Sequence, residues 1–417
     1  MNVSRFFINI DFSKMWIHTF LRIFHDRFKE LALPLVTLAL TQSPLVTALV
    51  LLSQQVGTIL FSIPIGTWVE RRNPVIVSSC GSILTGLFMF GLAYAVSLDQ
   101  TNAIVISFLL CALGIVSLFH STAFLIMVPK IVGRQRLLRA HTLLETADAI
   151  VTLLGPALGG YLLATYGASA TLAICGGILL TASVFLTSIR YDYAKPAFRK
   201  KEPVKARLRM FATESVEGLI FLFGNSAQRA SILALTTLGF STVFITLTLI
   251  FHASNTLEFS EQAIGLLLSS AGLGNIIGVL IMNQFKQTNW LYLLVVLLVL
   301  SALGVMLLLT SSLWLMCFGM ILFDGALSMG FVVQVAVHQG ITPDSLLARV
   351  RSTTYVMGGV VSMLATVLSG LLTELNSLVA LGFGSLMLIV PAFLLLRYRH
   401  AGVRLHELQP LEKVVSN

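Results

Sequence analysis

Four ionisable residues recur at four-residue steps near the start of the chain, namely His18, Arg22, Asp26 and Glu30. Side chains four positions apart lie on one face of a helix, so this spacing predicts a polar stripe. Arg22 with Asp26, and Asp26 with Lys29, have the spacing of intrahelical ion pairs. The stripe has two interpretations. It is either a pathway in which Asp26 or Glu30 binds a proton or a substrate, or a ladder of ion pairs that only holds the helix in place.

The composition of the chain makes such a stripe costly. Of the 417 residues, 56% are hydrophobic and 11% are charged, whereas soluble domains are about 25% charged. So few charges do not cover the surface of a soluble globule, which excludes an ordinary cytosolic enzyme and a disordered protein. A charge at the centre of a membrane costs about 2.5–3.5 kcal/mol, so ionisable residues at that depth indicate function.

The elements that must position the stripe are membrane-spanning helices. A helix of roughly 20 apolar residues crosses the hydrocarbon, because it satisfies its own backbone hydrogen bonds there. The sequence predicts twelve spans, at about 15–41, 45–68, 75–97, 103–128, 141–165, 169–189, 228–251, 262–284, 290–310, 313–337, 350–373 and 378–396. An alternative for the start of the chain is a surface helix over 15–30 followed by one span over 31–52.

Positive charge predicts the orientation of the spans. Lys and Arg cluster before span one, in the turns after spans two, four, six and eight, and in the tail. The alternate turns contain neither residue; they are 42–44, 98–102, 166–168, 252–261, 311–312 and 374–377. Cytoplasmic loops carry the excess of Lys and Arg, so both termini are predicted to be cytoplasmic in a multi-pass protein of the bacterial cytoplasmic (inner) membrane.

The longest basic stretch, from Arg190 to Arg209, divides the chain into two halves. Shifting the sequence by 210 residues aligns Gly160 with Gly370, in spans five and eleven. Two parallel repeats around a substrate path are typical of transporters. We interpret the basic stretch as a solvated linker rather than a nucleic-acid site. The predicted organisation is an all-α membrane protein with a six-helix bundle over 1–190, a cytoplasmic linker over 191–212 and a second six-helix bundle with its tail over 213–417.

The loop between spans two and three carries a family signature. The segment from Gly66 through Glu70 and Arg71 to Arg72 resembles the G-x-x-x-D-R-x-x-R motif of the major facilitator superfamily. Here Glu replaces the usual Asp, and the final basic residue is absent. In that family the loop acid contacts the opposite half and latches one state of the transporter. The resemblance therefore implies a conformational latch at Gly66, Glu70 and Arg71.

A second motif lies in span five, where Gly155, Pro156, Gly159 and Gly160 resemble the G-P-x-x-G-G antiporter motif. Together with the flanking segments, it is similar to the branch that contains enterobactin exporters and macrolide efflux pumps. Glycine permits close helix packing, and proline removes one backbone hydrogen bond. The resemblance implies a bend that closes the substrate path against leak; a plain packing kink is the alternative.

Other ionisable residues fall inside predicted spans. Glu145 and Asp148 are three positions apart in span five, and a paired acid in a low dielectric suits proton exchange. A salt bridge to Arg139 or Arg71 is the alternative for Glu145. Asp324 has no Lys or Arg in its own span, so we expect a partner on another helix, a bound proton, or a role in transport.

A histidine in span four, His120, is a candidate proton relay, although a hydrogen-bonded packing role is the commoner use of a lone membrane histidine. The four cysteines share no C-x-x-C spacing and lie in apolar runs, which favours buried thiols over a metal site. The sequence has no H-E-x-x-H, G-x-S-x-G or phosphate-binding loop with Lys, so no enzymatic activity and no cofactor are predicted.

These observations predict a secondary active transporter of the major facilitator fold. It would export a small amphipathic molecule, such as a siderophore or a drug, by proton-coupled alternating access. The protein is expected to be a monomer that interacts with its substrate, with protons and with the lipid bilayer. Lysophospholipid or metal-ion transport by the same fold is an alternative, since Asp26-Arg27 also resembles iron exporters. An alternative of another class is a non-transporting membrane partner or receptor.

Overall fold

The computed structural model describes residues 8–69, 72–98, 102–133, 136–190, 219–285 and 287–409. Within these residues the protein is helical throughout, with one isolated bridge between Asn289 and Arg404. The long helices are α1 Ile10–Thr41, α2 Pro44–Val69, α3 Pro74–Ser97, α4 Ala103–Val132, α5 Leu137–Thr187, α6 Ser226–Phe251, α7 Glu261–Met282, α8 Trp290–Leu307, α9 Leu313–Ile341, α10 Asp344–Leu375 and α11 Ser377–Leu396.

Asparagine sets the start of many of these helices. An Asn side chain at the N-cap accepts a hydrogen bond from a backbone N–H of the first turn, which would otherwise have no partner. Asn9, for example, accepts from Phe12 N at 2.6 Å. The same cap begins α3, α4, α6, α8 and α11, at Asn73, Asn102, Asn225, Asn289 and Asn376. The caps at Asn73, Asn102, Asn289 and Asn376 lie in the short turns that the sequence predicts between spans.

Helix α1 ends at Thr41, and α2 begins at Pro44. The alternative prediction of one helix over 31–52 is therefore wrong, because the chain breaks in the middle of that range. Gln42 takes a left-handed conformation there, with φ 53°, and its N–H bonds back to the Leu38 carbonyl oxygen at 2.8 Å. The polar stripe thus belongs to one continuous helix of 32 residues.

Helix α5 is broken once. At Gly167 the backbone has φ 77° and ψ 176°, a conformation that glycine adopts without steric cost. The break falls in the turn predicted at 166–168, so the two arms of α5 correspond to the predicted spans five and six. The backbone stays helical through Pro156.

Ten of the described helices are long and apolar enough to cross a membrane, with the two arms of α5 taken as one. Helix α1 is not among the ten, because its charged residues reduce its hydropathy.

The helices form two compact units, Met1–Phe198 with Ala253–Ser269, and Arg199–His252 with Ser270–Asn417. In the first unit, α1 and α3 pack against α5, and α4 packs against α2 and α3. In the second unit, α8 packs against α9 and α11, while α6 packs against α9, α10 and α11. The whole linker predicted at 191–212 lies outside the described residues, and the predicted bundle boundaries stay a prediction.

Candidate functional site

The α1 stripe lies inside the first unit, where α1 packs along α5 and touches α4. Apolar residues from Leu31 to Leu38 bury the C-terminal part of α1. The charged residues from Arg22 to Glu30 lie in the middle of the helix, between this apolar end and the buried residues Phe12 and Met15. Their ion pairs divide them into two clusters that share no ion pair.

The basic cluster consists of Arg22, Asp26 and Lys29. Asp26 Oδ2 lies 3.6 Å from Arg22 Nε, and Asp26 Oδ1 lies 3.2 Å from Lys29 Nζ. Arg22 Nη2 donates a hydrogen bond to Ser117 Oγ of α4 at 3.1 Å. His25 is buried beside them, with its Nε2 4.0 Å from Asp26 Oδ1. Both ion pairs predicted from the sequence spacing are present in the structure.

The acidic cluster consists of Arg27, Glu30 and Asp148. Arg27 Nη1 binds Glu30 Oε2 at 2.8 Å, and Arg27 Nη2 binds Asp148 Oδ1 at 3.2 Å. Glu30 therefore has its ion-pair partner, Arg27, beside the predicted stripe rather than within it. The spacing of Arg27 and Glu30 is a local signal for this pair, whereas only the packing of α1 on α5 brings Asp148 to Arg27.

Two histidines extend the polar core towards the other end of α1. The rings of His18 and His120 lie 5.0 Å apart between centroids. His18 Nδ1 shares a hydrogen bond with the Ala182 carbonyl oxygen at 3.1 Å, and His120 Nδ1 with Ser78 Oγ at 2.9 Å. Each ring thus ties its own helix to a neighbour. This geometry is consistent with a hydrogen-bonded packing role for His120. Its role as a proton relay stays a prediction.

The Gly-Pro motif of α5 forms part of the surface against which α1 packs. A Cβ atom at Gly155 would lie 2.8 Å from Arg27 Cβ, and one at Gly159 would lie 3.2 Å from the Phe28 ring. Carbon atoms at 2.8 Å overlap, so glycine is the only residue that admits Arg27 at this position without a shift. Gly155 therefore contributes directly to the acidic cluster, by letting the stem of Arg27 lie on α5.

The opposite side of the same motif contacts the start of α7, within the first unit. A side chain at Gly160 would overlap the Glu261 carbonyl oxygen, and Gly265 Cα lies against it. The backbone N–H of Ala157 donates to Ser269 Oγ at 2.8 Å. The motif thus packs against two helices at once.

The remaining predicted residues lie apart from the two clusters. Glu145 is exposed on α5, and among the described residues no ion pair involves it. Asp324 is half-buried on α9 of the second unit, where the neighbouring Gly325 packs against the backbone of Gly274. Gly66 has open space around it. Glu70 and Arg71 lie outside the described residues, so the latch stays a prediction.

Two residues of the site, Arg27 and Ser117, were not recognised from the sequence as functional candidates. Arg27 was noted only as the neighbour of Asp26, although it is the single cation between two carboxylates. Ser117 was not considered at all, because a serine in an apolar span gives no signal of its own. Among the described residues, no group of three His, Cys, Asp or Glu side chains is placed to hold a metal ion.

Membrane-length helices in two compact units, with paired charges held between helices of the first, define a membrane transporter rather than an enzyme. The model of the Major Facilitator Superfamily matches residues 15–285. The chain therefore belongs to this superfamily. No curated protein matches the sequence.

Solved structures agree on the fold. The chain is similar to a bacterial homologue of the iron transporter ferroportin in its inward-facing state, with TM-score 0.73 and 15% identity over 95% of this chain and 99% of that one. It is also similar to a POT family transporter in complex with a thioalcohol-conjugated peptide, with TM-score 0.72 and 13% identity over 93% and 96%. The nucleoside transporter NupG has TM-score 0.69 and 13% identity over 94% and 99%. At such identities the likeness shows the fold alone.

Proposed function

We propose that this protein is a proton-coupled exporter of a small amphipathic molecule, such as a siderophore or a drug, in the bacterial cytoplasmic membrane. The observation that carries the proposal is the acidic cluster, in which two carboxylates on different helices share one guanidinium. Alternating access of the two halves would expose the site to each side of the membrane in turn.

The cluster has the composition of a proton site. With Arg27 charged and both acids ionised, its net charge is −1, which is costly at membrane depth. One bound proton removes that charge without moving a helix. The Glu30 and Asp148 side chains are 58% and 42% exposed, so neither acid is enclosed by the protein. The Arg27–Asp148 ion pair also joins α1 to α5. A proton that weakens this ion pair would therefore weaken the contact between the two helices.

Twelve crossings are part of the proposal. Helix α1 would add one crossing to the ten apolar helices, because its charges from Arg22 to Glu30 are paired with one another and with α5. The break at Gly167 makes two crossings of α5. An even number of crossings would put both termini on one side of the membrane, and the Lys and Arg of alternate turns support the cytoplasm as that side.

The export direction and the branch rest on the Gly-Pro motif. Its glycines seat α1 on one side and contact α7 on the other, which suits a closed, leak-tight segment. The resemblance to enterobactin exporters and macrolide efflux pumps supports outward transport of a siderophore or a drug.

Metal-ion transport is the second candidate. It is favoured by the two carboxylates of the acidic cluster, since oxygen ligands suit hard cations, and by the fold shared with a bacterial metal transporter at 15% identity. Against it, Arg27 occupies the space between those carboxylates. A metal ion would have to displace this guanidinium.

The test uses the purified full chain in liposomes that enclose a pH-sensitive dye. Candidate substrates come from comparing the metabolites secreted by a deletion strain and its parent. We expect an active substrate to move protons with the normal chain, and Asp148→Asn to remove that signal. Asp11→Asn is the matched control, because Asp11 is another ion-paired acid, bound to Lys14 at the start of α1 and outside both clusters. Manganese-driven proton movement that no organic compound reproduces would favour the metal candidate instead.

A further inference from the structure

The basic cluster has one cation too many for its own acid. Arg22 and Lys29 are both paired with a single carboxylate, that of Asp26. The remaining partner of Arg22 is the neutral hydroxyl of Ser117. The cluster therefore carries a net charge of +1 inside the helix bundle, which an additional negative charge would neutralise.

A hydrogen-bond donor is also left over beside Asp26. The Arg22 guanidinium is buried on its Nη1 side, and this nitrogen has no hydrogen-bond partner in the described part of the chain. A buried polar group without a partner is costly. An acceptor that binds Arg22 Nη1 would remove this cost, as well as the excess charge.

The exposure of the three side chains shows how such an acceptor would enter. Arg22 and Lys29 are 14% and 12% exposed, whereas Asp26 is 32% exposed. The carboxylate is thus the most accessible of the three groups. An incoming acidic group would reach the cations by competing with Asp26 for them.

We propose that Arg22 and Lys29 bind an acidic group of the substrate, a carboxylate or a phosphate, and that Asp26 holds this place when no substrate is bound. Planar carboxylates and phosphates match the fork of a guanidinium. The inference rests on the proposed function, because it names the substrate class of that transporter as an amphipathic anion. Asp26 is then a competitor that helps release the substrate, and the acidic cluster carries the proton.

Calorimetric titration of the purified full chain in a neutral maltoside detergent tests this. Hexyl phosphate is the probe, hexyltrimethylammonium is the matched cation, and inorganic phosphate lacks the apolar part. We expect hexyl phosphate to bind and the cation not to bind. Arg22→Gln and Lys29→Gln should each weaken binding by about tenfold or more, the range of a lost charge-assisted hydrogen bond. Asp26→Asn should strengthen binding several-fold, because the competing carboxylate is gone.

Two further variants keep the result interpretable. Lys14→Gln removes another ion-paired cation of α1, outside the cluster, and should leave binding unchanged. Arg22→Lys keeps the charge, and recovery of binding in this variant would show that Arg22→Gln acts on the site rather than on folding. Competition by lysophosphatidylglycerol would identify a lipid headgroup as the source of the anion, and competition by inorganic phosphate a free anion; both support the site.

Unchanged binding of hexyl phosphate to Arg22→Gln and Lys29→Gln, or preferred binding of the cation, would overturn the inference. Such a result would leave the proposed function standing, provided that Asp148→Asn still removes proton movement. The calorimetric titration therefore tests the anion site, and the liposome assay tests proton coupling, so that either proposal can fail without the other.

Discussion

The two charge clusters built on α1 differ in sign, although their α1 members lie within the same nine residues, 22–30. The basic cluster has two cations and one acid, and the acidic cluster has one cation and two acids. The difference comes from the tertiary partner that each arginine finds. Arg22 meets the neutral Ser117 of α4, whereas Arg27 meets the carboxylate of Asp148 of α5. One helix therefore carries two clusters of opposite net charge, and the neighbouring helices decide the sign of each.

The largest effect is expected from removing the acid of the basic cluster. Asp26→Asn leaves Arg22 and Lys29 without their shared carboxylate, so a bound anion has no competitor for release. We expect transport in liposomes to be abolished while the amount of protein in the membrane stays normal. Asp11→Asn, on the same helix, should transport normally. Unchanged export in cells that carry Asp26→Asn would contradict the assignment of this cluster to transport.

A large effect of another kind is expected from Arg27→Gln, which leaves Glu30 and Asp148 without their cation. Removing one partner of a fully buried pair costs about 3–5 kcal/mol, and the partial exposure of these acids reduces that cost. We expect a lower unfolding temperature in detergent, followed by tryptophan fluorescence. Adding Asp148→Asn to this variant should restore part of the stability, because it removes one of the stranded charges. A purely additive double variant would show that Arg27 and Asp148 do not act as a pair.

An intermediate effect is expected at the seat of Arg27. Gly155→Ala places a methyl group against Arg27 Cβ, and overpacking of this kind costs about 1–3 kcal/mol. The shift should disturb proton coupling while binding of hexyl phosphate at the basic cluster is retained. Gly177→Ala is the control on the same helix, since nothing lies near its added methyl group. Equal loss of both activities would mean that the two clusters are not separable.

The smallest effect is expected at Ser117. Ser117→Ala removes one hydrogen bond from Arg22 while both ion pairs of the basic cluster remain. A hydrogen bond to a charged group contributes about 1.5–3 kcal/mol, but water can replace the hydroxyl here, so we expect hexyl phosphate binding to change by less than tenfold. Proton coupling should be unchanged. Ser79→Ala, which removes a buried hydroxyl without a hydrogen bond in the described residues, is the control in the same titration.

Much of the fold was open to prediction because the membrane limits the choices. Only helices satisfy their own backbone in lipid, so apolar runs and polar turns predict the elements nearly one by one. The turn at 166–168 was predicted from Tyr166-Gly167, and the backbone breaks at Gly167. The weakest prediction was α1, since its charges lower its hydropathy, yet the helix is continuous from Ile10 to Thr41.

The sequence by itself determined the helices, the superfamily signatures and the local pairs of the stripe. Those features depend on residues that are close in sequence. The ion pairs of the stripe, for example, join residues three or four positions apart on one helix, which lie on the same face. Only the tertiary structure decided that Asp148 binds Arg27, that Gly155 seats Arg27, and that Ser117 supports Arg22. Each of these contacts joins residues more than 90 positions apart, and their meeting depends on how the helices pack. The packing converts one predicted stripe into two sites of opposite charge.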